Sequence, residues 1–196
     1  MYMNDGLQNQ YILNVLKGKW NATPEPFLDP NQLSSDGTVN IGAVSVSKDG
    51  KWVAYNIPIG GLMRVISLED PDKSLEAVLP NLAEHGAEFV GWSPDSTIMV
   101  FIQVVGLREY RGYTLYTVSG PERGTWSEYL LPEDQTAAYS VWAPDSELLA
   151  INSGKKIHIL TRQGEIVREL ELNVLETENH QGLIRVPVWS GQGLFV

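Results

Sequence analysis

Three aspartates recur in one local setting: Asp49 in Ser47-Lys48-Asp49-Gly50, Asp95 in Ser93-Pro94-Asp95-Ser96 and Asp145 in Ala143-Pro144-Asp145-Ser146. Carboxylates bind calcium and move protons, so a repeated aspartate is the first place to look for chemistry. Each one, however, stands in a tight turn, where an aspartate bonds the backbone just beyond it. That local duty accounts for the recurrence, and placement on separate units keeps the three from converging on one ion or substrate. The histidines offer less. His158 alternates with Ile157 and Ile159 and so faces away from them, while His180 lies near Glu176 and Glu178 at a spacing that fits no metal-ligand pattern. His85 has no such company.

Other catalytic signals are missing from the sequence. It has no cysteine, which removes disulfides, thiolate metal sites and cysteine nucleophiles. It has no Gly-x-Ser-x-Gly elbow to present a nucleophilic serine. Gly60-Gly61 and Gly191-Gln192-Gly193 read as isolated turns rather than a phosphate loop. A propeller enzyme acting on sugars or lactones would need a converging carboxylate pair, and none is visible. The reading is a chain without catalytic residues, metal or cofactor. Its best functional candidates are Arg108, Tyr110 and Arg111 in the inter-strand insertion 106–112. Arginine and tyrosine are enriched at binding hot spots, and loops at a rim are where recognition occurs. The competing reading of 106–112 is a solvated hairpin extension.

The elements that must carry these residues are written in a repeat. Val46-Ser47-Lys48-Asp49-Gly50-Lys51-Trp52-Val53-Ala54-Tyr55 is echoed by Trp92-Ser93-Pro94-Asp95-Ser96-Thr97-Ile98-Met99-Val100-Phe101. It returns as Trp142-Ala143-Pro144-Asp145-Ser146-Glu147-Leu148-Leu149-Ala150-Ile151, and incompletely as Trp189-Ser190-Gly191-Gln192-Gly193-Leu194-Phe195-Val196. Periods in this range signal a repeat architecture. Asp49-Gly50 is a strong hairpin signal, and Pro-Asp-Ser presets the same turn in the next two units. If the fourth turn position needs left-handed backbone, Ser96 and Ser146 each bear a small cost that Gly50 does not. Each inner strand pair is followed by an outer pair, clearest in the third unit as Lys156–Leu160 and Ile166–Leu170.

Four antiparallel strands per unit make one blade, so the fold class is all-β, a β-propeller of about four blades. We assign residues 1–196 to one propeller domain or segment. Its pieces are an outer half-blade at 1–30, blades at 31–82, 83–134 and 135–180, and an inner half-blade at 181–196. The two halves are expected either to pair and close a small ring or to leave an arc with open edges, which favours a homodimer. Trp92, Trp142 and Trp189 share one register and read as packing between blades, and Trp52 reads as core.

Composition supports a folded domain: 43% of the 196 residues are hydrophobic and 19% charged. A formal net charge of −10 repels phosphate backbones and anionic lipid heads, so neither nucleic acid nor membrane is an expected partner. No apolar run approaches the roughly 18 residues of a membrane helix. No basic flank precedes an apolar run near Met1, so a cytoplasmic location is the expectation.

The stretch from Phe27 to about Gln103 resembles the propeller of the prolyl oligopeptidases. The residues that carry this are Phe27-Leu28-Asp29-Pro30-Asn31, Leu33-Ser34-Ser35-Asp36-Gly37-Thr38-Val39 and the Ser47-Lys48-Asp49-Gly50 hairpin. From Tyr113 onward the chain is similar to propeller repeats in general. In that family the propeller caps a separate α/β-hydrolase domain and restricts entry to small peptides. The resemblance therefore implies a non-catalytic, substrate-gating segment of a serine peptidase, with a peptide or a hydrolase domain as partner. The alternative is a stand-alone scaffold that binds a protein or peptide through its loops. None of the family's catalytic residues carries over to a position of this sequence.

Overall fold

The computed structural model describes residues 2–3, 10–34, 39, 41–57, 62–78, 87–105, 109–121, 123–131, 139–153, 156–172 and 187–195. Among them, the strands fall into separate antiparallel sheets. The first complete blade consists of β4 (Val44–Val46), β5 (Trp52–Ile57), β6 (Leu62–Ser67) and β7 (Leu75–Val78). The second is β8 (Ala87–Trp92), β9 (Ile98–Val105), β10 (Glu109–Thr117) and β11 (Trp126–Leu130). The third is β12 (Tyr139–Trp142), β13 (Leu148–Asn152), β14 (Lys156–Thr161) and β15 (Ile166–Glu171). In all three, strands consecutive in sequence are neighbours in the sheet, a plain meander.

The repeated turn folds the way its residues dictate. The Ser47 hydroxyl donates to Asp49 Oδ1 at 2.6 Å, and that oxygen also accepts from the Lys51 amide at 3.0 Å. Ser93 and Asp95 repeat the pair at 2.6 Å, with the Thr97 amide at 3.1 Å. In the third unit Ala143 replaces the serine, and Asp145 accepts from the Glu147 amide at 3.0 Å. Ser96 and Ser146 do adopt left-handed backbone, at φ 62° and 66°, alongside Gly50 at 73°.

Alternation along the inner strands sets the core. Met99 and Phe101 of β9 face the first blade and pack with Trp52, Ala54, Met63 and Val65. Ile98, Val100 and Ile102 of the same strand face the third blade and pack with Leu149, Ile151 and Leu160. Both faces of a central strand are thus buried, and the hydrophobic core lies in the seams between blades rather than inside any one sheet. At roughly 1.5–3 kcal/mol for each large apolar side chain buried, these seams carry the fold.

Of the two arrangements expected of the ends, the structure has the open one. The N-terminal sheet has three strands, β1 (Tyr2–Met3), β2 (Ile12–Val15) and β3 (Glu25–Leu28), in the order β1-β2-β3. Its β2 has β1 on one edge and β3 on the other, so neither edge is open to the C-terminal hairpin. That hairpin, β16 (Val188–Ser190) and β17 (Gly193–Phe195), pairs within itself. The sheets form a partial propeller, and closure through the two halves is not made. Among the described residues, two short 3₁₀ turns, Pro30–Gln32 and Pro71–Lys73, interrupt the strands.

Candidate functional site

Of the residues singled out for partner binding, Arg108 lies outside the described residues, as do His85, Glu176, Glu178 and His180. The backbone of Tyr110 and Arg111 belongs to β10, where Tyr110 pairs with Val104 of β9 and the register shifts before Gly112. Of the segment 106–112, the described residues Glu109 to Gly112 belong to strand β10. Gly112 is required at its base, because a side chain there would run into the Tyr129 carbonyl of β11. Among the described residues no group of three or more acidic or histidine side chains is placed to hold a metal ion.

The turn aspartates do not converge; Asp49 and Asp95 each belong to a blade-to-blade latch. The Asp49 amide donates to Ser96 Oγ of the next blade at 3.0 Å, and the Asp95 amide donates to Ser146 Oγ at 2.9 Å. The left-handed serines therefore return a bond across the seam for their local strain. Burial pushes the Asp95 carboxyl up, but the Ser93 and Thr97 donors and the Arg162 guanidinium outweigh it and hold the group below its ordinary value. Arg162, from the β14–β15 turn, reaches Asp95 Oδ2 at 2.9 Å and donates to Thr97 Oγ1 at 2.5 Å. Arg123 of the second blade likewise donates to the Lys73 carbonyl of the first. The tryptophans act in the same sense. Trp92 Nε1 donates to Ser45 Oγ and Trp189 Nε1 to the Val141 carbonyl, each at 3.0 Å and each across a seam. Trp142 Nε1, by contrast, is buried without a partner. The position matching Ser45 and Val141 is Gly91, which has no side chain and follows a bulge in β8.

One cluster went unread in the sequence. Ser153 Oγ lies 3.2 Å from His158 Nε2, and His158 Nδ1 lies 3.1 Å from Glu169 Oε1. This is the atom order of a nucleophile, a base and an orienting carboxylate. It has no access for a substrate: the His158 side chain is 0% exposed, Ser153 is buried, and the Tyr129 hydroxyl of the neighbouring blade sits 3.0 Å from the same Nδ1. The cluster is a polar network across the second seam, with Ser153, His158 and Tyr129 buried and Glu169 at its exposed rim. The signal that could have found it is hairpin register, which sets His158 directly opposite Glu169.

Among the described residues, the seam between the third blade and the β16–β17 hairpin is open. A groove of about 450 Å³ is lined by Leu148, Ile159, Val167, Leu170, Trp189 and Leu194, with Arg168 at its side. In complete blades the corresponding space is covered by outer strands, as Tyr129 and Leu131 cover the second seam.

Meandering four-stranded sheets, cores between sheets and a latched turn repeated from blade to blade define a β-propeller. A family model described as prolyl oligopeptidase, N-terminal beta-propeller domain, matches residues 1–117. The chain belongs to this family, and the match is to its propeller domain, not to its catalytic peptidase domain. It is 34% identical over 93 residues to a prolyl endopeptidase of Elizabethkingia miricola and 38% identical over 91 residues to one of Elizabethkingia meningoseptica. These alignments cover 46% and 45% of this chain but 13% of each relative. Among solved structures, prolyl oligopeptidase B from Galerina marginata superposes with a TM-score of 0.54 at 21% identity, covering 90% of this chain and 29% of that one. A putative 6-phosphogluconolactonase from Bacteroides uniformis gives a TM-score of 0.50 at 15% identity, covering 87% of this chain and 51% of that one. At such identities the structural likeness shows the fold alone.

Proposed function

We propose that this chain serves as a substrate-gating propeller segment working beside a serine peptidase domain, with no chemistry of its own. The observation that carries this reading is the family match over residues 1–117. The absence of a nucleophile elbow from the sequence and the burial of Ser153 and His158 in a seam agree with it. In this role Arg108, Tyr110 and Arg111 contact the peptide or the hydrolase domain. The test is to titrate the chain into the isolated hydrolase domain of the Elizabethkingia meningoseptica prolyl endopeptidase and follow cleavage of a short prolyl peptide and a long one. Association, with the short peptide still cut and the long one spared, is expected. No association and unchanged selectivity for length would overturn the proposal.

A second reading is favoured by the apolar groove beside β17: a scaffold that takes a protein or peptide strand, or a second copy, along an open blade edge. Light scattering across a concentration series separates these, because a dimer that persists on dilution marks the edges as self-complementary.

A further inference from the structure

The groove at the last seam can be compared position by position with the seams that are filled. In each complete blade one residue of the second strand stands opposite the residue that opens the repeated turn: Val53 opposite Val46, Met99 opposite Trp92 and Leu149 opposite Trp142. The third strand lays an apolar side chain beside it, respectively Ile66, Tyr116 and Leu160. Tyr116 and Leu160 are buried in the seam with the preceding blade. In the last unit Leu194 stands opposite Trp189 in the same way, but among the described residues β17 pairs with β16 alone. The outer edge of β17 therefore offers backbone donors and acceptors. Leu148, Ile159, Trp189 and Leu194 wall the space that a third strand fills in the other blades.

The β15 wall sets what else an occupant must carry. By register, the pairs Ile157–Leu170 and Ile159–Arg168 of the third blade match Tyr113–Tyr129 and Leu115–Ser127 of the second. At the filled second seam, Tyr129 meets His158 of the following blade, two positions before Leu160. Ser127 lies against Gly164, in the turn beyond Leu160. Moved on by one seam, Leu170 faces a residue two positions before the one beside Leu194, and Arg168 faces the chain beyond it. Arg168 makes no hydrogen bond or ion pair among the described residues, so its guanidinium is open to a carboxylate.

We propose that the last seam binds an extended peptide of another protein, which adds to β17 as the third strand of its blade. The peptide carries apolar side chains at two alternate positions, followed by a carboxylate for Arg168. This rests on the scaffold reading given above and names the ligand class of that site. Main-chain hydrogen bonds along β17 supply affinity, while the apolar walls and the cation supply sequence preference. A second copy of the chain is the poorer occupant, because each copy carries a net charge of −10.

The probe is the peptide fluorescein-Thr-Val-Thr-Leu-Thr-Glu-amide, with versions ending in glutamine and in lysine, titrated with the intact chain and read by fluorescence anisotropy. The glutamate probe is expected to bind several-fold tighter than the glutamine probe. Leu194→Asp should weaken it about tenfold or more. Arg168→Glu, at an exposed position, should reverse the preference so that the lysine probe binds tightest. Should Leu194→Asp unfold the hairpin, the reversal in Arg168→Glu decides. Binding indifferent to both substitutions would overturn the proposal. So would no binding of any probe, and light scattering then separates two cases. A dimer means a second copy takes the edge and the scaffold reading stands; a monomer removes both.

Discussion

The second and the last seams of this propeller are built from the same repeat and end up differently. Between the second and third blades, Ser146 latches Asp95, Arg162 bridges Asp95 and Thr97, and Leu149, Ile151 and Leu160 are sealed against the second blade. Between the third blade and the β16–β17 hairpin, the latch position is Gly193, which has no hydroxyl to offer. There the groove stays open, and Val167, Val188 and Phe195 are 55%, 58% and 59% exposed. The tryptophan bond is present at the last seam and lacking at the second, so that bond alone does not close a seam. Closure depends on outer strands covering the apolar face, with the serine latch holding the turns in step.

Mutations can break this contrast, beginning with the core. Leu160→Ala removes a fully buried side chain from the second seam and should cost about 2–5 kcal/mol in urea denaturation. Leu194→Ala, beside the open groove, should cost about 1 kcal/mol or less because its surroundings are already solvated. Equal losses would mean the seams are alike. Gly112→Ala should cost about 1–3 kcal/mol, since the added methyl meets the β11 backbone, which cannot easily yield. Thermal melting of that variant is the check.

The latch makes a sharper claim at a smaller scale. Ser146→Ala keeps the left-handed strain and leaves the Asp95 amide without its serine, a loss of about 1–2 kcal/mol. Ser146→Gly loses the same bond but relieves a strain of about 1 kcal/mol, so it should fall within about 0.5 kcal/mol of the parent. Were glycine as damaging as alanine, backbone strain would have no part in the design. Smallest of all, Arg162→Met should cost about 0.2–1 kcal/mol at low salt and less at high salt, as partly exposed ion pairs do.

Much of this architecture was legible because its signals are local. Asp49-Gly50 and the two Pro-Asp-Ser turns announce hairpins, and the unbroken apolar run from Ile98 to Ile102 fits a strand buried on both faces. The left-handed serines were legible as a cost, but their return was not. The partner amide of Ser96 is 47 residues away and that of Ser146 is 51 residues away, on a different blade. The two-residue β1 is too short to leave a pattern, so the N-terminal sheet read as two strands, and the sequence left a closed ring and an open arc as alternatives. The His158 network stayed hidden because its members meet through hairpin register and seam packing rather than spacing. The proposed contact residues Arg108, Tyr110 and Arg111 were chosen by type, and for the latter two the backbone turned out to be strand.

Amide hydrogen exchange read by mass spectrometry tests the contrast between seams most directly. The account predicts that amides of β9, β13 and β14, buried on both faces, exchange orders of magnitude more slowly than those of β16 and β17. Comparable protection in the two regions would contradict it, because the last seam would then be as firmly closed as the second.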